Sequence, residues 1–178
     1  MKDHKINFLY IARLVDRRYP ELYDNRKIII YHDKEGTVMY AEFDETLVTG
    51  NEIIDSQHKE LIDKINELVR SCETSTELST AVKTLNYLAD YTDFHFSAEE
   101  KLQEEIGYPG IEEHKKQHKE FIQTIEDLHD MLIEEEGPTK EFSEKVNEKV
   151  IEWLYKHIKG FDRSVAEYKN LRHNSELI

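Results

Sequence analysis

From about residue 51 onward, apolar residues recur every three or four positions. The strongest interruptions are Gly107-Tyr108-Pro109-Gly110 and Gly137-Pro138. That is the period of an α-helix with one buried face, and it dominates what this chain can fold into. The spacing predicts a first helix over Ile53–Ser71, with Ile54, His58, Leu61, Ile65 and Leu68 on one stripe. A second opens near Ser75, followed by Glu77 and Leu78, and runs to about Ile106. A third spans Ile111–Glu135, where Gly137-Pro138 stops it. The fourth runs from near Thr139 to Gly160 and carries Phe142, Val146, Val150, Trp153, Leu154 and His157, with a short amphipathic tail at Ser164–Leu171. Four long helices on short connections predict an all-α, up-down-up-down antiparallel four-helix bundle. Residues 1–42 have a different texture. Ile6–Arg18 reads as a short helix before Pro20. Lys27–Tyr31 and Thr37–Phe43 read as a β-hairpin around Asp33-Lys34-Glu35-Gly36. The expected division is an N-terminal extension (1–42), a bundle (43–172) and a C-terminal tail (173–178).

Charge narrows the function. Lys and Arg total 24 against 38 Asp and Glu, a net −14, so a phosphate lattice or an anionic lipid surface would repel the chain. No nucleic acid or membrane partner is expected. The single cysteine, Cys72, excludes an internal disulfide and any cysteine-built zinc or iron–sulfur site. No stretch approaches the ~18 apolar residues of a membrane span, and the first twenty residues lack a signal-type apolar core, so a cytoplasmic protein is expected. Against that background, nine histidines stand out.

Their positions are ordered. His95 and Glu99 are four apart on the second helix, as are His114 and His118 on the third, so each pair shares a face. His58 lies early in the first helix, His157 late in the fourth, and Asp162 follows five residues on. At ~1.5 Å rise per residue, an up-down bundle brings all seven groups to the same end of its interior. Alone, either i,i+4 pair is most simply a surface pair. Together, five imidazoles and two carboxylates in an apolar bundle end would leave buried polar groups unpaired, at about 1–3 kcal/mol each. A metal removes that penalty by using their lone pairs.

The imidazole-rich set with two carboxylates suits iron better than magnesium or calcium, with zinc and copper also compatible. Seven ligands exceed the needs of one ion and imply two. The zinc-protease motif fails because Lys115 follows His114, and the Glu-x-x-His pairs of ferritin-like di-iron proteins are missing. His4, His32, His129 and His173 are read as solvated or too distant to take part.

The segments FDETLVTGNEIIDSQHKEL, YTDFHFSAEEKLQEEIGYPGIEEHKKQHKEF and IEWLYKHIKGFD resemble the hemerythrin family in its single-domain bacterial form, over about Phe43–Tyr168. The ligand order His, HxxxE, HxxxH, HxxxxD is filled at every position. One departure is Phe43, where the family often has Trp. The resemblance implies that His114, His118 and His157 bind one iron and His58 and His95 the other. It also implies that Glu99, Asp162 and an oxo or hydroxo group bridge them. On that count eleven of twelve octahedral positions are filled, and the vacancy falls on the His58/His95 iron, where dioxygen would bind. Counting along the helices from the ligands, Leu61, Phe96, Trp153, Leu154 and Ile158 are expected to wall a dry pocket, Trp153 foremost. The implied function is reversible, non-enzymatic dioxygen binding as a carrier, store or sensor. The weighed alternative is a di-iron oxidase or peroxidase, or an enzyme detoxifying nitric oxide or peroxide. Residues 1–42 fall outside the resemblance and read either as an arm that packs on the bundle or as a docking piece for a protein partner or self-association.

Overall fold

The computed structural model describes residues 29–32, 37–74 and 78–175. Two short strands, β1 (Ile29–His32) and β2 (Thr37–Tyr40), pair antiparallel with Ile29 opposite Tyr40 and His32 opposite Thr37. They are the hairpin expected from the sequence. Its turn at 33–36 and the expected helix Ile6–Arg18 lie outside the described residues.

Three helices follow on the predicted periods: α1 (Glu52–Thr74), α2 (Leu78–Ile106) and α3 (Ile111–Glu134). Asn51 starts α1 by accepting the backbone N–H groups of Ile53 and Ile54 at 3.2 and 3.4 Å. At the end of α2, Gly107 takes a positive φ of 62°. Its N–H meets Glu104 O while the Tyr108 N–H reaches back to Gln103 O. This Schellman closure favours glycine at the left-handed position. The end of α3 repeats the closure with Glu136 at φ 56°, one residue before Gly137.

The fourth rod departs from expectation. It does not end at Gly160 with a separate tail; it continues as α4 (Lys140–Val146), α5 (Glu152–His157) and α6 (Arg163–Ser175), joined through two π-turns at Asn147–Ile151 and Ile158–Asp162. One glycine is tolerated inside a helix, and the wide turn absorbs it without breaking the rod. Helical structure therefore passes residue 172.

Each rod packs on the next, and the fourth also closes against α1. Ile65, Leu68, Leu85, Leu88, Leu132, Phe142, Val146 and Val150 are all fully buried between them. The segment after β2 is strapped across this bundle. Asn66 exchanges two 2.9 Å hydrogen bonds with the backbone of Ala41. The Tyr155 hydroxyl accepts from Glu42 N and donates to Glu42 O, both at 2.6 Å. Arg163 donates to the carbonyls of Thr46 and Val48. Phe43 packs partly buried on the core, with Lys59 Nζ 5.0 Å above its ring.

Candidate metal centre

Helical spacing delivers most of the site. His58 comes from α1, His95 and Glu99 from α2, His114 and His118 from α3, and His157 from α5. All five histidines and both carboxyls are at most 4% exposed. Asp162 needs another device. At 3.6 residues per turn, a residue five beyond His157 would sit about 140° around an α-helix. The π-turn Ile158–Asp162 swings it back, so that Asp162 Oδ1 lies 3.1 Å from His157 Nε2.

The donor atoms form two groups. Glu99, His114, His118 and His157 place ligand atoms within 4.8 Å of one another, as do His58, His95 and Glu99. His157 Nε2 stands 3.0 Å from His114 Nε2 and 3.1 Å from His118 Nε2. Two nitrogens each ~2.1 Å from one ion and at right angles to it would be about 3 Å apart. Asp162 spans the groups, with Oδ1 3.1 Å from His114 Nε2 and Oδ2 3.1 Å from His58 Nε2. Glu99 Oε2 likewise lies 3.4 Å from His118, 3.7 Å from His114 and 3.9 Å from His95.

Electrostatics favour a cation at this centre. Burial holds His95, His118 and His157 below the ordinary imidazole range, which keeps them neutral with a lone pair to offer. Burial, reinforced by the neighbouring Asp162, pushes Glu99 well above the usual carboxylate range. Asp162 is pulled well below it, because His157, His114 and His58 outweigh its desolvation. Both His58 ring nitrogens, Glu99 Oε2 and both Asp162 oxygens are buried without a hydrogen-bond partner. Such a set is unsatisfied as core filler and satisfied as a ligand shell, so the residues fit a pair of metal ions.

The outer nitrogens are held too. Gln57 Oε1 is 3.0 Å from His95 Nδ1, Gln103 Nε2 is 2.8 Å from His114 Nδ1, and Glu100 Oε1 is 2.9 Å from His118 Nδ1. Contacts of this kind fix ring orientation at metal sites. None of the three was singled out in the sequence, although Gln103 lies four residues after Glu99 and so shares its face.

Of the expected wall, Leu61, Phe96, Leu154 and Ile158 are buried. Phe96 stacks on His118 at 3.7 Å between ring centroids, 5° from parallel. Trp153 is half-buried, stacked at 4.2 Å on both His157 and Phe121. Phe161, not foreseen, lies parallel to His157 at 5.3 Å.

The pattern of the Hemerythrin HHE cation binding domain matches residues 49–168. A bacteriohemerythrin of Stenotrophomonas maltophilia (strain R551-3) is 32% identical over 123 residues, 69% of this chain and 77% of that protein. The myohemerythrin of Theromyzon tessulatum is 31% identical over 121 residues, 68% of this chain and 87% of that one. A crystal structure of wild-type hemerythrin aligns with a TM-score of 0.56 at 28% identity, covering 65% of this chain and 85% of that chain. With a family pattern spanning most of its length and laid over the same histidine-lined bundle end, the chain belongs to the hemerythrin family.

Proposed function

We propose that this protein holds two iron ions and binds dioxygen reversibly, as a carrier, store or sensor and not as an enzyme. The observation that carries the reading is the convergence of five buried imidazoles and two carboxyls with unpartnered buried oxygens at one end of the bundle. His114, His118 and His157 hold one ion, His58 and His95 the other, and Glu99 and Asp162 reach both. When bound, the iron pair supplies the two electrons that dioxygen takes up and returns.

The rest is the work of the chain. Gln57, Gln103 and Glu100 orient the imidazoles from outside. The His58/His95 side has fewer protein donors, so the open place for a diatomic ligand is assigned there. Leu61, Phe96, Trp153, Leu154 and Ile158 exclude water, which keeps protons from the bound gas and so favours release over turnover. Among the described residues, no helix is long and apolar enough to cross a membrane. A cytoplasmic location fits the single cysteine.

The test uses the reduced, iron-loaded protein. A visible absorption band should appear under oxygen and vanish when the gas is swept away, over repeated cycles. Loss of the reduced form in one cycle, with peroxide released, would overturn reversible binding in favour of an oxidase.

A further inference from the structure

The seven groups are not enclosed evenly. On one side aromatic rings close over them, with Phe96 against His118 and with Trp153 and Phe161 against His157. On another side lies a cavity of about 80 Å³. Its lining runs from exposed Gly50, Lys169 and Asn170 to buried Glu99, Gln103 and Asp162, so it leads from solvent to the centre. The two carboxyls of the site border it, and none of the five histidines does.

Gln103 supplies a second, independent observation. Its side chain is fully buried, one end of its amide meets His114 Nδ1, and the other end has no hydrogen-bond partner. An unpaired buried polar atom opposes folding, so a polar visitor in the adjoining cavity would relieve it.

We propose that this cavity is the port through which a hydrated divalent cation enters and leaves the centre. The inference rests on the di-iron reading above. A hydrated ion presents water hydrogens, which the carboxyl oxygens accept, and an aromatic wall offers no equivalent strength of acceptor. The walls pass from exposed Lys169 and Asn170 to buried Glu99 and Asp162, so the ion exchanges water for protein oxygens on the way in. Lys169 at the mouth repels the incoming charge and acts as a brake.

The experiment adds Co²⁺ to the metal-free full-length protein and follows the absorption of the bound ion in time, with metal analysis at the end. Ala166 lines the port one helical turn beyond Asp162. Ala166→Leu should load roughly ten-fold more slowly, equivalent to about 1.4 kcal/mol on the entry barrier, and reach the wild-type metal content. Asn170→Trp, at an exposed position of the mouth, should also slow loading without disturbing packing. Lys169→Glu should load a few-fold faster, with an advantage that shrinks as salt rises. Loading of Ala166→Leu and Asn170→Trp at the wild-type rate would overturn the port. Failure of the wild type to retain cobalt at all would overturn the di-iron reading itself, so the final content and the rate separate the two failures.

Discussion

Where α1 ends, α2 begins, α3 ends and α4 begins, the interior is Leu68, Leu85, Leu128, Leu132, Phe142 and Val146, each at most 3% exposed. At the opposite end the same four rods enclose five imidazoles and two carboxyls at comparable depth. The apolar end is stabilised by burial alone, at roughly 25 cal/mol per Å² removed from water. The polar end carries partnerless groups that oppose folding until a cation meets them. Equal burial thus does opposite things at the two ends: one holds the bundle together and the other is held open for a ligand by it.

The comparison breaks most visibly at the ligands. His118→Ala should lower iron to well below two per chain by metal analysis, and unchanged iron would refute the assignment of that nitrogen. Stripping the metal with a chelator should sort the ends by hydrogen exchange. Amides of α2 around His95–Gln103 should lose protection, while those around Leu85 keep theirs. Equal loss at both ends would mean that the apolar end cannot stand without metal. Leu85→Ala, fully buried at that end, should cost about 3 kcal/mol in denaturant unfolding and leave the iron content intact. Tyr155→Phe removes the hydroxyl that clasps Glu42 from both sides and should cost about 1 kcal/mol. Glu136→Gly relieves a left-handed residue at the α3 stop and should raise stability by roughly 0.5–1 kcal/mol, again without touching iron.

The two ends also differ in how openly the sequence announces them. The stripe Ile54, His58, Leu61, Ile65 and Leu68 is written at helical period, and every member is buried. His95 with Glu99 and His114 with His118 declare their common faces through i,i+4 spacing. Asp162 does not, because an α-helix would turn it away from His157; its place depends on a wide turn that no simple period announces. Gly160 reads as a terminus because glycine commonly closes helices, and the wide turn that carries the rod through it is not written in the period. The strap contacts of Asn66, Tyr155 and Arg163 join residues 25 to 117 apart, and local pattern carries no trace of them. Trp153 was legible as a neighbour of the site from its place one turn before His157, but its stacking on both His157 and Phe121 depends on how α3 and α5 meet.

The π-turn at Ile158–Asp162 has one more consequence. Up to His157 the rod, its first π-turn included, keeps Phe142, Val146, Val150 and Leu154 buried in the bundle. After the second π-turn, a new phase begins, in which Tyr168 donates to Gly107 O and Arg172 to Ile106 O, pinning the close of α2. Two separate fastenings, Asp162 in the centre and α6 over the α2 stop, are therefore set by the number of residues between His157 and Arg163. A single insertion or deletion there would rotate both fastenings at once. What both fastenings require of this stretch, in physical terms, is a length.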